Sequence, residues 1–164
     1  MKIEILPFEE MHWQAVAEIY RLGLLTRNAT FETDVPDFQQ WNKKFHTHLR
    51  WVATLNHEVV AWAGLLPVSP RKVYEGVAEV SIYVHPRFSG NGIGKMLMQH
   101  LIDQSEKAGI WTLFASLFPE NIASCNLHAS VGFRLIGYRE KIAKLDEKWR
   151  DTLIYERRSK IIDI

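Results

Sequence analysis

The chain has 164 residues, of which 47% are hydrophobic and 24% are charged, and its formal net charge is +1. This length and composition suit one globular domain whose core needs no disulfide or structural metal, so we predict a single domain over residues 1–164. A net charge this close to zero argues against nucleic acid or an anionic membrane surface as a partner.

Cysteine content and hydropathy bear on the cellular compartment. The single cysteine, Cys125, cannot form an intramolecular disulfide and suits a reducing environment. Residues 1–7 include Lys2 and Glu4 and lack the apolar core of a signal peptide. No uncharged run approaches the ~18 residues that a membrane-spanning helix needs. We therefore expect a soluble, cytoplasmic protein without a membrane partner.

Hydrophobic periodicity predicts the following elements in chain order. The first half gives a strand at 2–6, helices at 11–25 and 38–45, strands at 51–55 and 59–66 around an Asn56-His57 turn, and a strand at Val77–Val84. A glycine-rich segment then leads into a helix at 90–107, a strand at 111–118, a helix at 121–131, and strands at 133–143 and 152–157 around a turn at 146–148. This order predicts an α/β (α+β) fold with a mixed central sheet flanked by helices.

The strand Val77–Val84 has one apolar face and one mixed face. The apolar face must be the core side, and the mixed face carries Glu79, Ser81 and Tyr83. A carboxylate in the middle of a strand is costly unless it is solvated or paired. Glu79 is therefore a charge on an exposed sheet face, a buried partner of Arg71 or Lys72, or a reactive group.

The turn after this strand is rich in glycine and opens a helix, which is a general design for binding phosphate. It does not fit the Walker A pattern, because Ser89 replaces the first glycine and Met96 replaces the final Ser or Thr. It does not fit the dinucleotide pattern either, because Lys95 stands where the third glycine is needed.

The turn resembles a third pattern, the acetyl-CoA pyrophosphate loop of the GNAT acetyltransferase superfamily, Arg/Gln-x-x-Gly-x-Gly/Ala. Gly92 and Gly94 supply its glycines, and Ser89 stands at the Arg/Gln position. Arg87, two residues earlier, is a candidate for the missing positive charge.

Residues 121–133 resemble the second GNAT signature, N-x-x-[AS]-x-x-L-Y-x-x-x-G-F, with His128 in place of the tyrosine. This histidine is typical of the phosphinothricin and methionine sulfone/sulfoximine acetyltransferase branch. The chain resembles that branch from about residue 20 to residue 158, including the segments 28–33, 67–71, 77–84, 109–112, 118–121 and 149–151.

The resemblance implies a GNAT fold whose strands splay apart at an acetyl-CoA site. Backbone groups of Tyr83 and Val84 are then expected to pair with the pantetheine arm, together with Asn121 and Ser124. The pyrophosphate is expected to lie on the loop formed by Ser89, Gly90, Asn91, Gly92, Ile93, Gly94 and Lys95.

The resemblance also implies a catalytic role for Glu79 as general base and for His128 as a second acid–base group. Phe31, Arg71 and Tyr83 are expected to line the acceptor pocket. The expected reaction is direct acetyl transfer to the α-amine of a small amino-acid analogue, since an ammonium must lose a proton before it attacks a thioester. Cys125 is expected to pack rather than to become acylated.

Two other functions compete with this one. A protein N-terminal or lysine acetyltransferase needs an open peptide groove, whereas the loop carrying Phe31 is expected to form a closing wall; a polyamine acetyltransferase is a further alternative. A non-catalytic acyl-CoA-binding domain has no need to retain both Glu79 and His128. No metal is expected, because His46 and His48 lack further ligands at the usual spacing.

We also expect a homodimer. The family resemblance favours one, and we predict that aromatic side chains contribute to the subunit interface, among them Trp41, Trp51 and Trp62.

Overall fold

The computed structural model describes residues 2–163 and contains the helices and strands in the predicted order. The helices are α1 (Trp13–Leu25), α2 (Phe38–Lys44), α3 (Ile93–Lys107) and α4 (Ile122–Ser130). The strands are β1 (Ile3–Pro7), β2 (Arg50–Leu55), β3 (Glu58–Pro67), β4 (Val77–Val84), β5 (Thr112–Leu117), β6 (Arg134–Leu145) and β7 (Lys148–Arg158).

The strands form one sheet of seven in the order β1-β2-β3-β4-β5-β7-β6, and the prediction of a mixed sheet is confirmed. Every neighbouring pair is antiparallel except β4 and β5, which are parallel. Pairing between β4 and β5 ends at Glu79 and Phe114, although both strands continue. The sheet therefore opens at its centre, as the resemblance implied.

Apolar side chains cover both faces of the sheet. On one face α3 packs over β2, β3 and β4, with Leu97, Met98 and Leu101 in the core. On the other face α1 and α2 pack against Trp62 and Val52. The mixed face of β4, which carries Glu79, points into this second layer. The alternative in which Glu79 lies on a solvent-exposed sheet face is therefore wrong.

The aromatic residues predicted for a dimer interface are part of the core. Trp41, Trp51 and Trp62 are buried within the chain, because the aromatic layer beneath α1 and α2 and the layer beneath α3 enclose them. That part of the prediction is wrong. The large apolar side chains exposed on the last two strands are Leu135, Ile136, Tyr138, Ile142 and Trp149.

Local signals in the sequence explain several element boundaries. The Asp37 side chain accepts a hydrogen bond from the Gln40 N–H and begins α2 as a cap. Asn56 and His57 both have positive φ, 50° and 69°, as the tight turn of a twisted hairpin requires. Among residues 2–163, no helix is long and apolar enough to cross a membrane.

Candidate active site

A cavity of about 1050 Å³ lies where β4 and β5 separate. The loop after α1, the glycine-rich turn, α4 and the last two strands complete its walls. Of the residues singled out from the sequence, it brings together Phe31, Glu79, Tyr83, Val84, Ser89, Gly90, Gly92, Ile93, Gly94, Lys95, Asn121, Ser124 and His128.

The free edge of β4 is defined by its backbone direction. The N–H of His85 donates to Val60 of β3, and the carbonyl of Gly76 accepts from Thr112 at the start of β5. The backbone N–H and C=O groups of successive residues in a strand point to opposite edges. In β4 those of odd-numbered residues therefore face β3, and those of even-numbered residues face β5. Ile82 and Val84 therefore direct N–H and C=O groups into the gap.

This direction corrects the pantetheine prediction in one respect. Val84 offers its backbone to the gap as expected, but the backbone of Tyr83 is directed at β3, where Trp62 is its register partner. Tyr83 contributes its ring instead, which lines the cavity.

The glycine-rich turn fits a pyrophosphate group. Gly90 and Gly92 have φ of 78° and 77°, and a Cβ on either would meet no atom within 4 Å, so both border open space. No side chain caps α3, and its first intrahelical bond runs from Met96 to Gly92. The preceding amides at the start of α3 are therefore free to bind an anion.

The polar side chains of the turn stabilise the turn itself. The Ser89 hydroxyl donates to the Pro86 carbonyl at 2.9 Å, and the Asn91 amide donates to the Phe88 carbonyl at 3.2 Å. Asn91 does not line the cavity, and neither does Arg87, whose guanidinium lies 5.5 Å from the Phe88 ring. The charge proposed for Arg87 is therefore not delivered there, and Lys95 is the cation that lines this part of the cavity.

Asn121 joins the two halves of the cavity. Its side-chain oxygen accepts from the Ser124 N–H at 3.2 Å and begins α4, while its amide donates to the Asn28 carbonyl at 3.1 Å. The predicted cofactor residue thus also positions the loop that carries Phe31.

That loop forms a fixed wall. The Phe31 ring meets the Phe118 ring edge-on, with centroids 4.9 Å apart. The Arg150 guanidinium lies over the Phe118 ring, 4.0 Å from its centroid. Arg150 also donates to the Arg27 carbonyl at 2.8 Å and to the Asn28 side chain at 3.2 Å. The sequence placed Arg150 in a family motif without giving it this role.

Glu79 is half-buried and lines the cavity next to the end of the β4–β5 pairing. Burial raises the pKa of its carboxyl group, and the positive charges of Lys44 and Arg139 lower it by less. Within residues 2–163 it forms no ion pair, so the alternative partners Arg71 and Lys72 are not used. A carboxylate with a raised pKa suits the removal of a proton from an amine.

Tyr83 contributes to an aromatic floor. Its ring stacks on Trp62 with centroids 5.1 Å apart and meets Tyr20 edge-on at 5.0 Å. Burial raises the pKa of the Tyr83 phenol, so the hydroxyl stays protonated at neutral pH.

His128 is held as a neutral ring with one free nitrogen. The side chain is only 1% exposed, and Nδ1 lies 2.7 Å from the Ser124 carbonyl oxygen. A carbonyl only accepts, so Nδ1 carries the proton and Nε2 is left as an acceptor. Nε2 is buried and has no partner among the described residues. Burial lowers the pKa of the ring more than this hydrogen bond raises it.

We expect NMR titration to give His128 a pKa below 6.5, its ordinary value. As the pH falls below 6.5, the unfolded chain protonates this histidine while the folded protein keeps it neutral. The free energy of unfolding therefore decreases below pH 6.5 and is unaffected by this histidine above it. The free energy of unfolding of His128→Gln is therefore expected to depend less on pH below 6.5 than that of the wild type. The exposed His48→Gln is the control, and an identical slope in all three proteins would contradict this description.

The cavity residues that the sequence reasoning missed include Tyr20, Lys44, Arg139 and Thr152. Lys44 ends α2 and lies 4.0 Å from Glu32 of the facing loop. Arg139 and Thr152 belong to β6 and β7, whose largely exposed surface gives no clear apolar alternation to show which side chains face inward.

Arg71 is not at the cavity. It is exposed, and its guanidinium lies 5.3 Å over the Tyr74 ring. The sequence predicted that Arg71 lines the acceptor pocket, and the structure does not place it there. The His46 and His48 pair is also outside this cavity, and no group of three or more potential metal ligands occurs within residues 2–163.

Comparisons with known proteins identify the family to which the chain belongs. The family described as Acetyltransferase (GNAT) family matches residues 13–133. YwnH of Bacillus subtilis, provisionally named a phosphinothricin acetyltransferase, is 32% identical over 155 residues, covering 91% of this chain and 94% of that protein. Phosphinothricin N-acetyltransferase of Alcaligenes faecalis is 30% identical over 150 residues, covering 87% of this chain and 76% of that protein.

A solved structure shows the same fold. The crystal structure of a GNAT superfamily phosphinothricin acetyltransferase from Sinorhizobium meliloti in complex with acetyl-CoA superimposes with a TM-score of 0.86, at 23% identity, covering 99% of this chain and 96% of that one. The family match and these relatives identify the chain as an N-acetyltransferase. The chain belongs to the GNAT acetyltransferase family.

Proposed function

We propose that this enzyme transfers an acetyl group from acetyl-CoA to the α-amine of a small amino-acid analogue of the phosphinothricin, methionine sulfone or methionine sulfoximine type. The observation that carries the proposal is the gap between β4 and β5, which has an anion-binding helix start on one side and Glu79 on the other. The names of the relatives support the acceptor class.

The residues at the gap fit acetyl-CoA. The amides at the start of α3 would hold its pyrophosphate, and the free backbone groups of Ile82 and Val84 would pair with its pantetheine arm. When bound, acetyl-CoA supplies the thioester carbonyl that the amine attacks. A backbone N–H on the gap edge is positioned to stabilise negative charge on that carbonyl oxygen.

Proton transfer falls to Glu79. Its raised pKa brings the carboxylate closer to the range in which it can take a proton from the α-ammonium group, directly or through water. The neutral His128, whose Nε2 is an unpaired acceptor, would act at neutral pH as a proton acceptor rather than as an acid. No residue has to be acylated.

The acceptor side of the cavity favours a small substrate. Phe31 is held against Phe118 by Arg150, so the loop closes the cavity where a peptide acceptor would need an open groove. The rings of Tyr20 and Tyr83 offer a surface for a short methylene chain. These contacts support an amino-acid analogue over a protein terminus or a lysine side chain of a protein.

A panel of acceptors tests this proposal. With saturating acetyl-CoA, we expect kcat/KM for methionine sulfone, methionine sulfoximine and phosphinothricin to exceed that for peptides by at least about a hundredfold, because a peptide is too large to fit behind the Phe31 loop. Glutamate, which is planar and charged at its distal end, is expected to be poorer. Preferential acetylation of peptides or polyamines would contradict the acceptor class while leaving the family unchanged.

We further propose a homodimer and a cytoplasmic site of action in which acetylation inactivates a toxic analogue. The exposed apolar side chains of β6, including Leu135 and Tyr138, support self-association, and a single cysteine suits a reducing compartment. Sedimentation of the purified protein tests the dimer, and a species of 19.1 kDa at micromolar concentration would contradict it.

A further inference from the structure

The Phe31 loop, residues 26–33, lines the cavity but is not held in place by its own backbone. It lies between α1 and α2 and contains no helix or strand. Residues 28–33 form no backbone–backbone hydrogen bond within residues 2–163, and the hydroxyls of Thr26 and Thr30 accept from N–H groups two residues further on. A segment with so few internal bonds opens locally at little cost unless other parts of the protein hold it.

Arg150 on β7 reaches the start of this loop. Its guanidinium donates to the Arg27 carbonyl at 2.8 Å and to the Asn28 side chain at 3.2 Å, which are 123 and 122 residues away in the sequence. The Arg150 side chain is largely enclosed, since only 18% of it is exposed. It does not line the cavity, so it acts on the loop and not on a substrate.

The same guanidinium group holds the neighbouring wall of the cavity. It pairs with Glu120 at 3.3 Å and lies over the ring of Phe118, which lines the cavity and meets the Phe31 ring edge-on. One side chain therefore fixes the loop and residues 118–121 relative to each other. A guanidinium group can do this because its planar donors point in several fixed directions while its face stacks on a ring, and the ammonium group of lysine has no such planar fork.

Two further contacts hold the start of the loop. The Asn121 amide donates to the Asn28 carbonyl at 3.1 Å, and Arg27 pairs with Asp146 at 3.3 Å. The first is a single neutral bond, and the second joins largely exposed side chains, whose pairing contributes little. The bonds of Arg150 are charge-assisted and partly buried. Removal of Arg150 should therefore release the loop more than removal of either other contact.

We propose that Arg150 is a positioning residue that fixes the Phe31 loop against residues 118–121, and so determines the affinity for the acceptor and the exclusion of peptides. This role rests on the proposed function, because it takes the acceptor to be a small amino-acid analogue enclosed by the loop. An acceptor that meets a released loop has to order it first, which costs free energy at the binding step. The effect of losing Arg150 therefore falls on KM for the acceptor and not on proton removal by Glu79.

Steady-state kinetics of Arg150→Ala and Arg150→Lys test this role. With methionine sulfone and saturating acetyl-CoA, we expect Arg150→Ala to raise KM about ten- to a hundredfold, the factor that corresponds to lost hydrogen bonds of a charged group. Its preference for methionine sulfone over peptides should also decrease, because the released loop no longer blocks a larger acceptor. The kcat and the Kd for acetyl-CoA should stay close to the wild-type values. Arg150→Lys keeps the charge without the fork and should restore KM only in part.

Limited proteolysis gives a readout that does not depend on activity. Trypsin cleaves after arginine, and Arg27 is the residue whose carbonyl Arg150 holds. Cleavage between Arg27 and Asn28 should be at least about tenfold faster in Arg150→Ala than in the wild type, because it requires local opening of the loop. Arg134→Ala is the matched control, since this arginine is on the adjacent strand β6, pairs with Glu156 at 2.8 Å and does not line the cavity. Arg150→Lys carries the same comparison if the alanine variant does not fold.

The failures of the two proposals are distinguishable. Wild-type protein that acetylates no amino acid would overturn the proposed function, and the cleavage rates would still report on the loop. An Arg150→Ala variant with the acceptor KM of the wild type, or with wild-type cleavage after Arg27, would overturn the positioning role and leave the proposed function in place. An equal loss of affinity for acetyl-CoA and for the acceptor would also overturn it, because it would indicate a general loss of structure.

Discussion

The Glu79→Gln variant is expected to lower kcat by about 10²–10⁴-fold, the usual contribution of a positioned acid–base group. The amide keeps the size of the side chain but cannot take the proton from the ammonium group. Because burial raises the pKa of Glu79, activity of the wild type should fall as the pH falls through that raised pKa and the carboxylate becomes protonated. The variant should lack this acid limb in its pH profile.

Steady-state kinetics over a pH series, combined with calorimetric titration of acetyl-CoA, separate catalysis from binding. The Kd for acetyl-CoA should be unchanged in Glu79→Gln, since the proposed donor contacts come from backbone groups of the turn and of β4. Glu58→Gln, an exposed carboxylate at the start of β3, is the matched control and should behave as the wild type. Near wild-type turnover of Glu79→Gln with an unaltered pH profile would remove Glu79 from the mechanism.

The Gly92→Glu variant is expected to weaken CoA binding by about a hundred- to a thousandfold. A Cβ at Gly92 would meet no protein atom within 4 Å, and the residue lies at the start of α3, where the free amides attract an anion. Two like charges about 4 Å apart near a protein surface repel by about 4 kcal/mol, which corresponds to roughly a thousandfold in affinity.

Backbone strain has to be separated from this repulsion. Gly92 has a φ of 77°, a value that residues other than glycine rarely adopt. Gly109 provides the control, because it has a φ of 84°, a Cβ there also meets no atom within 4 Å, and it does not line the cavity. Gly109→Glu should lose stability but retain CoA affinity. Equal loss of affinity in both variants, or comparable binding of ATP or NAD by the wild type, would contradict the pyrophosphate site.

The fold was predictable where one face of an element is buried. The bounds of β4 match the prediction, because its apolar residues alternate with the others along the strand and face the core on one side. The strands β6 and β7 are longer than predicted, because they form a largely exposed ribbon in which charged residues replace the apolar pattern. The burial of Trp62 was also missed, because no local sequence pattern indicates that α1 and α2 cover this face of the sheet.

The two halves of the site differ in how far the sequence reveals them. The donor half depends on a contiguous turn and a helix start, so Gly92 and Gly94 were recognisable from local spacing. The acceptor half is assembled from distant segments, and each of Lys44, Arg139 and Thr152 looks like an ordinary surface residue in its own segment. Which backbone groups of β4 are free depends on the strands that pair with it, and the sequence does not show that pairing. For this reason the backbone contact with pantetheine was assigned to Tyr83, whereas Ile82 and Val84 can make it.

The most direct test of the proposed reaction is to incubate the purified protein with acetyl-CoA and methionine sulfone, and to measure free CoA and the acceptor product by mass spectrometry. We expect one acetyl group on the α-nitrogen for each CoA released, and no accumulation of protein acetylated at Cys125. CoA release without an acetylated amine, or an acetyl group that reaches the acceptor only through a covalently modified protein, would contradict direct transfer at this site.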